Sequence, residues 1–112
     1  MEFQCEQRGS VSIVKPLERR MDARSAPDFR RQMGDLIAAG HRQLVLDLSE
    51  VDFIDSSGLG AIVSSLKALG DQGDLLVVGT RPPVAQLFKL TRMDRVFRMF
   101  PETTAAVAAV TA

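Results

Sequence analysis

The sequence has very few of the residues that support covalent or metal chemistry. It contains one cysteine, Cys5, and one histidine, His41. A single cysteine excludes an internal disulfide and is typical of a protein from a reducing compartment. A structural zinc site uses four cysteine or histidine ligands, so one residue of each type predicts no zinc site. We expect Cys5 to be a small core residue on a strand and His41 to be a solvated loop residue.

An excess of charge of one sign is also missing. Fourteen basic residues balance fourteen acidic ones, which leaves no general basic field for nucleic acid or anionic lipid. No apolar run approaches the ~18 residues of a membrane-spanning helix. The first residues, Met1–Gln4, lack the basic and then apolar order of a signal peptide. These absences predict a cytoplasmic protein with no direct nucleic-acid or membrane partner.

The composition is ordinary for a globular protein. Hydrophobic residues make up 46% and charged residues 25% of the 112 residues. A chain of this length buries roughly two thirds of its unfolded surface, which is enough for one core without covalent staples. We therefore expect one domain over residues 1–112.

Strand and helix patterns alternate along the chain. A hairpin is predicted over residues 2–7 and 10–15, and a loop over residues 17–24. The next predicted helix begins with Ser25 as its cap and ends before Gly40. Further strands are predicted at residues 44–48, 75–78 and 96–100, with helices after Asp55, Pro82 and Pro101. Strands joined through helices favour parallel pairing. The predicted fold is α/β, with a mixed four- to five-stranded sheet and helices mainly on one face.

The segment Phe53–Gly60, which reads Phe-Ile-Asp-Ser-Ser-Gly-Leu-Gly, separates a buried strand from the next helix. Ser56 is predicted to cap that helix, because its hydroxyl could accept a free backbone N–H. A phosphate on Ser56 would be tolerated there by the positive end of the helix dipole. Spacing alone leaves two interpretations open: Ser56 only caps the helix, or Ser56 is a modification site. Leu59, Ile62, Val63, Leu66 and Leu69 recur at helical spacing and are expected to form the buried face.

The residues from Leu44 to Gly60 resemble the core signature of the STAS domain, the family named after sulfate transporters and anti-sigma factor antagonists. The likeness continues through Gly73–Gly79 and Pro82–Phe88 and covers roughly residues 10 to 100. Within the family, the chain is most similar to the small bacterial anti-sigma factor antagonists. The resemblance implies a single STAS-like domain that acts as a binding module, without enzymatic activity and without a cofactor.

The resemblance also implies a switch. Ser56 corresponds to the serine that an ATP-dependent anti-sigma factor of the serine-kinase type phosphorylates. The unphosphorylated form would bind that anti-sigma factor and release a sigma factor, and a PP2C-like phosphatase would reverse the modification. The implied partner-binding residues are Asp22, Asp55, Ser56, Ser57 and Gly58. The family commonly has Gly-Glu-Leu-Asp where this chain has Arg-Arg-Met-Asp at residues 19–22.

Other chemistries lack their residues. A serine hydrolase would need Gly-x-Ser-x-Gly, and neither Ser56 nor Ser57 stands in that pattern. A phospho-aspartate receiver centred on Asp47 would need an acidic pair after an early strand and a lysine after a late one. No Gly-rich phosphate loop is present, so ATP would have to come with a partner. Asp47, Asp52 and Asp55 are expected to be solvent-facing acids rather than magnesium ligands. The main alternative is a non-switching STAS scaffold, or a subunit of a transport or signalling complex.

A small basic group stands near the end of the chain. Arg92, Arg95 and Arg98 are expected to form a solvated face, and a role in binding is the alternative interpretation.

Overall fold

Strands and helices alternate along the chain. The computed structural model describes residues 1–111, so Ala112, the last residue of the predicted domain, lies outside the described residues. The strands are β1 (Phe3–Arg8), β2 (Val11–Pro16), β3 (Arg20–Met21), β4 (Gln43–Asp47), β5 (Phe53–Ile54), β6 (Asp74–Val78) and β7 (Arg98–Phe100). The helices are α1 (Ala26–Ala38), α2 (Ser56–Leu69), α3 (Pro82–Leu90) and α4 (Thr103–Thr111).

Five strands form the central sheet, in the order β1-β2-β4-β6-β7. The opening hairpin pairs β1 and β2 antiparallel, and every later pair in this sheet is parallel. Parallel neighbours require a crossover connection, which α1, α2 and α3 supply. The predicted α/β fold with a mixed sheet is therefore confirmed. A separate two-stranded parallel sheet pairs β3 with β5.

The core lies on both faces of the central sheet. Leu44 and Leu46 belong to the cluster that packs with α1, α2 and α3. Val45, which points to the opposite face, belongs to a second cluster that includes Ala106 of α4. This double burial explains why the central strands are continuous apolar runs rather than alternating ones. Three described helices cover one face and one covers the other, which confirms the prediction that helices lie mainly on one face.

The prediction for Cys5 is wrong, and the prediction for His41 is confirmed for its loop position but not for its exposure. Cys5 is exposed, because β1 is an edge strand whose residues after Phe3 are all exposed. His41 is half-buried, and its Nδ1 lies 2.6 Å from the hydroxyl of buried Ser12. In both cases the exposure of the side chain depends on whether a neighbouring element packs against it. The local sequence pattern does not contain this information.

The segment predicted as a loop, residues 17–24, contains β3. Met21 in that strand is completely buried. Helix α1 begins near the predicted residue, with Pro27 in its first turn and Gly40 (φ 104°) just beyond its end. Ser25 occupies the cap position, but its hydroxyl accepts the backbone N–H of Asp22 at 3.0 Å instead of capping the helix.

The buried face of α2 is rotated from the predicted one. Its fully buried positions are Gly58, Ala61, Ile62, Ser65 and Leu69, whereas Leu59, Val63 and Leu66 are partly buried. Small residues occupy this face because α2 packs closely against α1 and β3. The hydrophobic pattern of a sequence is dominated by large apolar side chains. It therefore predicted a buried face centred on the leucines of α2, whereas the observed buried face is centred on smaller residues.

We expect Ile62→Ala to lower the free energy of unfolding by about 2–5 kcal/mol, because the side chain is fully buried and its removal leaves a cavity. Leu66→Ala is the matched control in the same helix and should have a smaller effect, since Leu66 is partly exposed. Urea denaturation measures both. Equal shifts of the two midpoints would contradict the observed phase of α2.

Candidate functional site

The short β3–β5 sheet positions the candidate site at the beginning of α2. Met21 and Ile54 are buried register partners that anchor the two strands to the core. The backbone N–H of Asp55 donates to the carbonyl of Met21 at 3.1 Å and extends this pairing by one step. Asp22 and Asp55 therefore follow adjacent ends of two parallel strands. This arrangement brings together two segments that are more than thirty residues apart in the sequence.

Asp55, rather than Ser56, caps α2. Asp55 has the extended backbone of a capping residue (φ −94°, ψ −174°), and its Oδ1 accepts the backbone N–H of Gly58 at 2.9 Å. The prediction that Ser56 is the cap is wrong by one residue. An aspartate caps as well as a serine does, and the backbone conformation at Asp55 decided between them.

Ser56 is the first residue of α2 and is exposed, whereas Ser57 is half-buried. Because Asp55 supplies the cap, the hydroxyl of Ser56 is not needed to hold the helix end. Ser57 instead lines a surface groove of about 410 Å³ together with residues of the α1 side: Ala23, Ala26, Pro27 and Arg30. The two adjacent serines therefore differ in environment, and Ser56 is the more accessible one.

Gly58 allows α2 to approach β3 closely. A Cβ at this position would lie 2.3 Å from the carbonyl oxygen of Met21 and 3.0 Å from a methyl carbon of Ile54. The first of these contacts is with backbone, which cannot rotate away as a side chain can. Gly58 itself is buried beneath the candidate site, so its role there is to permit the close packing of α2 on β3.

Asp22 stands in a turn that its own side chain stabilises. The backbone N–H of Arg24 donates to Asp22 Oδ1 at 3.0 Å. This bond, aided by the N–H of Ser25 and by Arg20, lowers the pKa of Asp22 from its usual 3.8, against the opposing effect of desolvation. Asp22 is an anion at neutral pH, next to the end of β5, and its hydrogen bonds favour the ionised form.

Sequence reasoning missed an arginine network beside these residues. The guanidinium of Arg19 contacts Asp52 through Nη2 at 2.5 Å and Nε at 2.8 Å. Arg81 approaches the other oxygen of Asp52 at 3.4 Å and donates from Nε to the carbonyl of Ser49 at 2.7 Å. These contacts join residues from three separate loops, so no local sequence signal could have identified them.

Arg20 makes a different contact, with an exposed aromatic ring. Its guanidinium carbon lies 4.2 Å from the centroid of the Phe53 ring, and Phe53 is 40% exposed. Arg20 and Phe53 are register partners in the β3–β5 sheet, which explains the stacking. The pattern of alternating side chains would have revealed this pair only if β3 had been predicted as a strand.

The remaining candidates lie elsewhere or have structural contacts. Asp47 Oδ1 accepts the backbone N–H of Ser49 at 2.9 Å, as a residue that stabilises a turn. Arg98 lies 3.9 Å from Asp74 at the far edge of the sheet, whereas Arg92 has a left-handed backbone (φ 60°) next to a 3-10 turn. Within residues 1–111, no three acidic, histidine or cysteine side chains come together in a way that could hold a metal ion. None of the helices in that part of the chain is long and apolar enough to cross a bilayer.

Comparison with known proteins agrees with this architecture. The sequence profile of the STAS domain matches residues 2–106, and the chain therefore belongs to the STAS domain family. An anti-sigma F factor antagonist from Paenibacillus polymyxa is 30% identical over 102 residues, which cover 89% of this chain and 86% of that protein.

Solved structures give the same result. An anti-sigma factor antagonist from Mycobacterium paratuberculosis has a TM-score of 0.90 and 29% identity, covering 99% of this chain and 94% of its own. A candidate anti-sigma factor antagonist from Thermotoga maritima has a TM-score of 0.91 and 26% identity, covering 98% and 95%. The predicted resemblance is thus confirmed at the level of the family and of its anti-sigma factor antagonist members.

We expect Gly58→Ala to lower the free energy of unfolding by about 1–3 kcal/mol, because its Cβ would collide with the backbone of β3. Gly60→Ala is the matched control two residues later in α2. Its Cβ would meet only Arg30 Nη2, at 3.7 Å, so the better helix propensity of alanine should stabilise the protein by up to about 1 kcal/mol. Thermal denaturation of both variants measures the difference. A Gly58→Ala variant as stable as wild type would show that α2 and β3 are not in close contact.

Proposed function

We propose that this chain is an anti-sigma factor antagonist that works by partner switching. In this proposal the unphosphorylated domain binds an anti-sigma factor of the serine-kinase ATPase type in the cytoplasm, and the anti-sigma factor then releases its sigma factor. Phosphorylation of Ser56 by that kinase ends the interaction, and a PP2C-like phosphatase restores it. The domain itself is a binding module with no enzymatic step.

The exposed hydroxyl of Ser56 is the observation that carries this proposal. Ser56 stands at the surface of the first turn of α2, and Asp55 has taken over the capping bond that would otherwise occupy a serine. A kinase could therefore modify the hydroxyl without removing a bond that the fold needs. The anti-sigma factor antagonists that resemble this chain support the choice of partner.

The proposed docking face consists of Asp22, Asp55, Ser56 and Ser57, supported from below by Gly58. The β3–β5 sheet holds Asp22 and Asp55 side by side, and Asp22 is charged at neutral pH, which lies well above its pKa. A partner that contacts this face would meet a negative group next to a serine hydroxyl.

Phosphorylation should change binding far more than folding. A phosphate adds about −1.5 to −2 charges at pH 7, and the helix N-terminus offsets about 0.3–1 kcal/mol per charge at an exposed site. A partner acid about 5 Å away would oppose each added charge by roughly 3 kcal/mol at an effective dielectric constant of 20. Because every 1.4 kcal/mol is a tenfold change, we expect affinity to fall by about a hundredfold or more.

The direct test incubates the domain with ATP and each purified serine-kinase anti-sigma factor of the source bacterium. Tandem mass spectrometry should locate the phosphate on Ser56. Ser56→Ala should bind and resist phosphorylation with unchanged stability, and Ser56→Glu should fold but bind poorly. Ser57→Ala is the matched control and should still be phosphorylated. Phosphate on Ser57, or no phosphate with a kinase that binds, would contradict the proposal and favour the scaffold interpretation.

A second test concerns the charge of Asp22. Asp22→Asn keeps an oxygen that can accept the N–H of Arg24 and removes only the charge, so the melting temperature should change little. Calorimetry with the cognate anti-sigma factor should show about a tenfold or greater loss of affinity, as expected when a charge-assisted hydrogen bond is lost. Asp35→Asn, an exposed acid on α1, is the control. Equal affinity for Asp22→Asn and wild type would remove Asp22 from the docking face.

A further inference from the structure

Arg20, near the Asp22 and Ser56 surface, is an arginine whose side-chain donors are largely unused and whose guanidinium lies over an aromatic ring. Arg20 stacks on Phe53, and its side chain is 63% exposed. A guanidinium has five N–H donors. Within residues 1–111, the polar contact of these donors is an ion pair with Asp22, whose Oδ2 lies 3.6 Å from Nε, beyond the length of a normal hydrogen bond.

The neighbouring arginines are already engaged. Arg19 makes a two-point contact with Asp52, and Arg81 divides its donors between Asp52 and the carbonyl of Ser49. The negative charge of Asp52 is therefore paired with two cations, and Asp52 is not a partner of Arg20. Arg20, adjacent to Arg19 in sequence, differs from it because its ion pair with Asp22 is long, at 3.6 Å, and leaves most of its N–H donors available to a partner.

Stacking also orients the group. A guanidinium held over an aromatic ring keeps the N–H donors along its edge, and its side chain has less freedom to lose on binding. Carboxylates match such an edge with two parallel hydrogen bonds. Phe53 adds an exposed apolar ring directly beside the charge, and aromatic and arginine side chains are the residue types that dominate binding energy at protein interfaces.

We propose that Arg20, held on Phe53, binds an aspartate or glutamate side chain on the surface of the anti-sigma factor. This inference rests on the proposed function, because the same partner docks on the adjacent Asp22 and Ser56. The partner would then present opposite charges a short distance apart: an anion towards Arg20 and a cation towards Asp22. Such an alternation fixes the register of docking and discriminates against partners with only one of the two charges.

The experiment measures binding of the anti-sigma factor that the wild-type domain recognises in the preceding test. Arg20→Glu should weaken binding by about 10- to 100-fold, which is the range for a charge-assisted hydrogen bond. Arg20→Lys should lose less affinity because it keeps the positive charge. Phe53→Leu should also lose less affinity because it keeps the arginine. Arg95→Glu, the same change at an exposed arginine beyond α3, is the control for general electrostatics. Circular dichroism verifies that each variant is folded.

A cross-link identifies the partner group. The lysine introduced by Arg20→Lys should couple to a partner carboxylate with a zero-length carbodiimide, and mass spectrometry then locates that acid. Replacing the acid with lysine should restore binding to Arg20→Glu. If Arg20→Glu binds as tightly as wild type, or if the cross-link does not form, this inference is wrong while the proposed function stands. If wild type binds none of the anti-sigma factors, the proposed function fails and this inference fails with it.

Discussion

The close approach of α2 to β3 is the constraint on which the candidate site depends. Gly58 lets the first turn of the helix lie directly against the backbone of Met21, and the N–H of Asp55 bonds to the same residue. These two contacts place the beginning of α2 next to the loop that carries Asp22. Without them, the serine turn and the Asp22 loop would be separate surface features.

A second consequence follows from which residue caps the helix. The carboxylate of Asp55 accepts the N–H of Gly58 and so caps the helix. The hydroxyl of Ser56 is therefore not needed as the cap. Asp55 therefore stabilises the helix end, and the adjacent serine does not supply the capping bond. A serine that both capped the helix and accepted a phosphate would couple modification to the stability of α2. The observed arrangement separates the two.

The charges around the serine turn are mixed rather than uniformly acidic. Asp52 is neutralised by Arg19 and Arg81, whereas Asp22 and Arg20 make only a long ion pair with each other, at 3.6 Å, and Arg20 keeps most of its donors. The surface therefore presents one anion and one oriented cation on either side of Met21. Two sites of opposite sign at fixed spacing recognise a partner more selectively than the same total charge spread over a face.

Much of the fold was determined by the sequence alone. The continuous apolar runs of β4 and β6, the polar turns that follow helices, and the prolines and glycines at helix ends predicted the α/β fold with a mixed sheet. These signals are local, since each depends on hydrophobic periodicity or on the backbone preference of one residue. The segment around Ser56 was likewise recognisable, because its residues and their strand-to-helix context are contiguous.

The tertiary structure decided everything that depends on contacts between distant segments. The two-residue strand β3 is too short to show a period, so its pairing with β5, the burial of Met21 and the stacking of Arg20 on Phe53 could not be predicted. The choice of Asp55 over Ser56 as the cap depended on the backbone angles that this pairing imposes. Cys5 became exposed because β1 is an edge strand of which only the first residue, Phe3, packs against the core. The sequence thus located the candidate site, and the packing of β3 against α2 determined which of its side chains are exposed.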